Sequence, residues 1–169
     1  MMRKLVTVAN GKLWWLFLLV TGVAMIGIAL YYQHVLNEWP CVLCIHVRIL
    51  FLLLILVAIL ALALFRFDKI RLFMHFCVVM ISVAMINRSW FLLATERGWQ
   101  EGECSISLGM PEWFAIDKWL PDVFSAWTSC GYTPVIALGI TMAEIIMLIS
   151  ILLFIAATAF FVSVFRKPV

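Results

Sequence analysis

The chain has 169 residues, of which 66% are hydrophobic and only 12% charged, and its mean hydropathy is +1.14. No soluble domain of this size keeps such a composition dispersed in water, so the chain belongs in a lipid bilayer. The formal net charge of +3 comes with no basic patch for nucleic acid, and with so few charges their placement matters more than their sum.

Four apolar stretches reach the roughly 20 residues needed to cross the hydrocarbon core. The first covers residues 13–32, without a charge, after Arg3, Lys4 and Lys12. It is too long for a secretion signal and ends in Tyr31-Tyr32-Gln33 rather than a small-residue cleavage site, so it is expected to be retained. A short loop, 33–43, leads to the second span, 44–65. The third covers 72–94 and contains Arg88 near its end. A long loop, 95–139, precedes the fourth span, 140–165, which has Glu144 near its start. The expectation is an all-α integral membrane four-helix bundle, a single membrane domain over 1–169 with both termini on one side.

Orientation follows from the basic residues, because short loops rich in Lys and Arg stay in the cytoplasm. Arg3, Lys4 and Lys12, then Arg66, Lys69 and Arg71, then Arg166 and Lys167 all fall on one side. The other side holds Glu38, Glu96, Glu101, Glu103, Glu112, Asp117 and Asp122 against Arg97 and Lys118. Cytoplasmic termini are expected, with loops 33–43 and 95–139 facing outward.

Of the five cysteines, Cys41 and Cys44 sit where the first outer loop enters the second span, and Cys104 and Cys130 lie in the long outer loop. An outward face is the compartment in which disulfides form and persist, so these four are placed for oxidation. Cys77 alone lies inside a span and reads as a small buried hydrophobe.

Proline is favoured in the first turn of a helix, so in Trp39-Pro40-Cys41-Val42-Leu43-Cys44 the second helix is expected to begin at Pro40 or Cys41. The partial positive charge of a helix N-terminus stabilises a thiolate there and makes it more reactive. Offsets of three and seven residues put Cys41, Cys44 and Arg48 on one stripe. A guanidinium costs about 2.5–3.5 kcal/mol at the bilayer centre and less near its surface, so Arg48 needs a partner. It either holds an oxygen-rich or anionic group beside the thiols or snorkels to the headgroups. His46 lies off the stripe, and haem attachment is excluded because Ile45 separates Cys44 from the histidine.

The long outer loop exceeds a simple connection, and such loops are usually functional. A bridge between Cys104 and Cys130 would close a segment flanked by glycine and serine, which suits a disulfide open to attack; a structural staple is the alternative. Trp113, Ile116, Trp119-Leu120, Val123-Phe124 and Trp127 recur at helical intervals around Pro121. One or two short amphipathic helices at the membrane surface are expected, tethering the loop cysteines or covering the bundle.

These features resemble the DsbB family of the bacterial inner membrane. The resemblance rests on Gln33-His34-Val35, on Pro40-Cys41-Val42-Leu43-Cys44 followed by Arg48, and on Pro111-Glu112-Trp113 running through Asp117-Lys118-Trp119 to Pro121. It implies a relay in which Cys104/Cys130 oxidise a periplasmic thioredoxin-fold partner of the DsbA type and Cys41/Cys44 then pass the electrons to a membrane quinone, ubiquinone or menaquinone. That the DsbA–DsbB–quinone system keeps the bacterial periplasm oxidising is a known property of the family. By the same analogy Cys104 forms the mixed disulfide with the partner, Cys44 meets the quinone and Arg48 supports it. The sequence departs from some members at the outer end of the third span, where a histidine linked to the quinone is absent and Arg88 and Glu96 are the polar residues available. The alternatives are a paralogue dedicated to one substrate system, or a metal site built from the outer cysteines with His34 or His46; the family reading implies no metal.

Overall fold

The computed structural model describes residues 11–100, 109, 116–128, 131–137 and 139–165. Four long helices dominate it: α1 (Lys12–His34), α2 (Val42–Ala63), α3 (Asp68–Glu96) and, after the long connection, α6 (Met142–Phe165). Two single-turn helices, α4 (Ile116–Trp119) and α5 (Pro121–Phe124), and two short antiparallel strands, β1 (Val135–Ala137) and β2 (Ile140–Thr141), belong to that connection. All four long helices are apolar and long enough to cross a membrane, and the protein is an all-α multi-pass membrane bundle.

The helices pack in the order α1, α2, α3, α6. On α3 the buried positions include His75, Val78, Ser82, Met85, Ser89 and Leu92, and on α6 they are Ala143, Ile146, Ser150, Leu153, Ala157 and Phe160. Alternating steps of three and four residues have the 3.5 period of left-handed supercoiled packing. The opposite faces are just as apolar, with Leu13, Phe17, Val20, Leu56, Met80, Leu152 and Ile155 exposed, as lipid-facing positions allow. Small and weakly polar side chains mark the interior instead, since they let helices approach closely without unsatisfied groups. Ser89 Oγ and Ser150 Oγ stand 3.2 Å apart across α3 and α6, and each lies 2.7 Å from the carbonyl one turn back on its own helix, Met85 and Ile146; with one hydrogen apiece, one hydroxyl donates across the helices while the other donates to its own carbonyl. α1 and α2 approach closely at Gly22, where a Cβ would stand 2.6 Å from Ile55 Cγ1.

Helix ends differ from the expected spans where polar residues continue a helix beyond the hydrocarbon. α3 starts at Asp68 rather than at residue 72, because Asp68 and Arg71 pair in its first turn. Its 29 residues extend about 44 Å, against a hydrocarbon core of about 30 Å. α6 starts at Met142 with a reciprocal cap. Thr141 N–H donates to Glu144 Oε2 at 3.1 Å, and Glu144 N–H donates to Thr141 Oγ1 at 3.4 Å, the arrangement of a capping box. Cys77 is another correction. Expected to be buried, it is half-buried on the flank of α3, one residue before the inward position Val78.

At the end of the bundle away from Cys41, Trp14 of α1 meets Phe160 of α6 edge-on at 4.4 Å, and Trp15 lies against His75 at 4.7 Å. Lys12 and Arg71 both approach the Phe65 ring there, at 5.7 and 5.3 Å.

Candidate functional site

Cys41 is the N-cap of α2, with extended backbone (φ −89°, ψ 169°), and Pro40 lies one residue outside the helix rather than in its first turn. The sulfur does what a capping oxygen usually does: Cys44 N–H donates to Cys41 Sγ at 3.4 Å, satisfying one of the helix's orphan donors. The cap brings the two sulfurs together, with the Cys41 thiol donating to Cys44 Sγ at 3.1 Å. A disulfide requires about 2.05 Å, so closure needs a movement of about 1 Å. Cys41 is buried at 1% exposure while Cys44 is half-buried.

Arg48 is also buried, at 6% exposure, and its guanidinium does not snorkel. Nη1 donates to Gln33 Oε1 at 2.5 Å and to the Val123 carbonyl at 2.8 Å, and Nη2 donates to the Ala29 carbonyl at 3.2 Å. Gln33 is itself buried and donates through Nε2 to the Asp122 carbonyl at 2.6 Å. The charge is thus held by neutral oxygens from α1 and from the long connection, and among the described residues no carboxylate pairs with it. One cation joins α1, α2 and α5.

The connection is docked on the cysteine turn at further points. Trp127 N–H donates to the Pro40 carbonyl at 3.0 Å, Thr128 Oγ1 donates to the Trp39 carbonyl at 3.0 Å, and Cys41 pairs with Thr128 in a parallel bridge. The rings of Trp39 and Trp127 lie 5.7 Å apart. Phe124 is buried in the core, whereas Trp119, Leu120 and Trp127 face outward. Pro121 opens α5, with Leu120 as the N-cap that separates it from α4. Cys104 and Cys130, and the Pro111-Glu112-Trp113 part of the expected amphipathic segment, lie outside the described residues.

Beside the sulfurs a cleft, open at its mouth, separates α1 from α6. Met25, Ile26, Ala29 and Tyr32 line it from α1, and Met142 and Ile146 from α6. Its floor is Cys44, Val47, Arg48 and Phe51 of α2, and Tyr132 and Pro134 close one side. A mainly apolar wall with a few convergent polar groups is the usual character of a small-molecule site. Cys41, Cys44 and Arg48 therefore share one cavity. His46 does not line it, nor do Arg88, which is exposed on α3, and Glu96. Sequence reasoning missed Gln33 as the partner of Arg48. It could have been found, since a glutamine near the end of an apolar span also needs a partner. The Ala29, Asp122 and Val123 carbonyls carry no side-chain signature at all.

Known proteins give the same answer from an independent direction. The family described as "Disulfide bond formation protein DsbB" matches residues 11–160. The chain is 30% identical over 144 residues to Disulfide bond formation protein B 2 of Pseudomonas aeruginosa, covering 84% of this chain and 85% of that one. Similarity to Disulfide bond formation protein B of Pectobacterium atrosepticum is 30% over 141 residues, covering 78% and 74%. For the protein of that name from Shewanella amazonensis it is 28% over 175 residues, covering 98% and 99%. With two adjacent sulfurs at the head of a membrane helix and this extent of similarity, the chain belongs to the DsbB family of membrane disulfide-bond-formation proteins.

Proposed function

We propose that the protein is a quinone-dependent thiol oxidase of the bacterial inner membrane, with cytoplasmic termini, which reoxidises a periplasmic thioredoxin-fold donor of the DsbA type. The observation that carries this reading is the shared cavity: Cys41, Cys44 and Arg48 line one apolar cleft, with the two sulfurs 3.1 Å apart. The basic residues Lys12, Arg66, Lys69 and Arg71 lie towards the other end of the bundle, which supports the orientation.

In the first exchange a thiolate of the reduced partner attacks the Cys104–Cys130 disulfide, forming a mixed disulfide with Cys104 and releasing Cys130. The partner's second thiol then displaces Cys104, so the partner leaves oxidised and the loop pair is a dithiol. With Cys41 and Cys44 oxidised to a disulfide, the Cys130 thiolate next attacks Cys41 and displaces Cys44, and Cys104 then attacks Cys130 and displaces Cys41, so the loop disulfide re-forms and Cys41 and Cys44 are left as thiols. The pairing of Thr128 with Cys41 supports this step, because two residues of chain reach at most about 7 Å. Cys41 and Cys44 then re-form their disulfide, giving up two electrons and two protons in the cleft.

A bound quinone supplies the acceptor for those electrons and protons. The cleft fits it: apolar walls suit the ring and its tail, and Arg48 carries five N–H donors, three of them used in the bonds described above. The two that remain would hold a carbonyl oxygen. Arg48 and the N-terminus of α2 bring positive charge to both sulfurs, the electrostatics that favour a thiolate.

The test is to follow reduction of a soluble quinone by the purified protein and a reduced thioredoxin-fold oxidase. Cys44→Ser and Cys104→Ser should each abolish turnover, and Cys104→Ser should also abolish the mixed disulfide. Full activity in either variant would end the relay reading.

A further inference from the structure

Glu96 is the last residue of α3, and no basic residue lies in that last turn. A carboxylate at the negative end of a helix dipole is unfavourable, so its place needs a compensating role. Its Oε2 accepts from Thr133 Oγ1 at 2.7 Å and from Thr141 Oγ1 at 3.1 Å. Thr133 is only 4% exposed. These two threonines are the sequence neighbours of three cleft-lining residues, Tyr132 and Pro134 on either side of Thr133, and Met142 after Thr141.

The surrounding contacts fix one side of this arrangement and leave the other to Glu96. Arg97 pairs with Glu144, whose Oε2 caps α6 by accepting from Thr141 N–H at 3.1 Å, so the start of α6 is held to the end of α3 without Glu96. The Pro134 carbonyl accepts from Met142 N–H at 3.0 Å. Tyr132 is 62% exposed at the mouth, and the Thr133 hydroxyl on Glu96 is the side-chain anchor beside it.

We infer that Glu96 is a positioning residue for the cleft. Through Thr133 and Thr141 it holds the Tyr132–Pro134 segment as the wall that confines the electron acceptor, while touching neither the acceptor nor the sulfurs. The inference rests on the cleft being the acceptor site.

The test compares variants of the full-length protein with a soluble quinone as the varied substrate. Glu96→Ala should raise the quinone KM about tenfold, the scale of one hydrogen bond to a charged group, and keep kcat at saturating quinone within about twofold. Glu96→Gln retains an acceptor oxygen for the threonines and should restore the KM. Thr133→Val, a milder change that serves if Glu96→Ala does not fold, should reproduce the rise, and Thr133→Ser should not. Formation of the Cys104 mixed disulfide should be unchanged throughout. An unchanged KM in Thr133→Val, or equal defects in Glu96→Ala and Glu96→Gln, would overturn the role of Glu96 provided that Arg48→Ala raises the KM. If Arg48→Ala leaves the KM unchanged as well, the acceptor-site reading itself fails.

Discussion

The two ends of the bundle are made from the same four helices but closed by different means. Away from the cysteines, α1 and α6 meet directly through Trp14 and Phe160, and Trp15 fills the centre against His75. At the cysteine end α1 and α6 are parted by the cleft, and hydrogen bonds do what large side chains do elsewhere. Arg48 and Gln33 hold α1 and α5, Glu96 holds Thr133, and Arg97 holds Glu144. Packing by volume is rigid but leaves no room. A frame of hydrogen bonds can surround a space and still set its walls, which is what a site for thiol chemistry requires.

If the packed end supplies stability and the framed end supplies function, mutations at the two should separate. The largest effect is expected from Trp15→Ala. Removing a fully buried tryptophan should cost about 3–5 kcal/mol, read as a lowered midpoint of thermal unfolding in detergent, with the quinone KM of the folded fraction unchanged. A shift in KM instead would mean that the two ends are not separable.

Arg48→Ala should act the other way. Losing its charge-assisted bonds should raise the quinone KM about ten- to a hundredfold and leave the Cys104 mixed disulfide able to form. It should also speed proteolysis near Asp122 and Val123, whose carbonyls the Arg48–Gln33 pair holds. An unchanged quinone dependence would reduce Arg48 to a structural tie.

The smallest effect belongs to the middle of the bundle. A double-mutant cycle on Ser89→Ala and Ser150→Ala should give a coupling of about 0.6 kcal/mol, the average for hydrogen bonds between membrane helices. A coupling near zero would assign that contact to close packing alone.

Much of the fold was legible in the sequence because the bilayer sets a length that any apolar run can be measured against. The site was legible where residues lie within two turns of each other, as Cys41, Cys44 and Arg48 do. The partner of Arg48 was not. Gln33 and the Val123 carbonyl lie 15 and 75 positions away, and a backbone carbonyl looks the same in every sequence. Nor could the burial pattern be read beforehand, because in lipid the outer face of a helix is as apolar as the inner one. Cys77 illustrates this: only the packing of α3 shows that it sits on the flank.

By itself, then, the sequence determined properties that are local and additive: four spans, the uneven distribution of charge, and two thiols at the head of a helix with an arginine two turns on. Tertiary structure decided which oxygens neutralise that arginine, that the cysteine turn pairs with Thr128, and that α1 and α6 part to leave a cleft. These depend on segments as far apart as the 89 positions between Gln33 and Asp122. Such contacts form only after the helices have packed, and no short-range pattern encodes them.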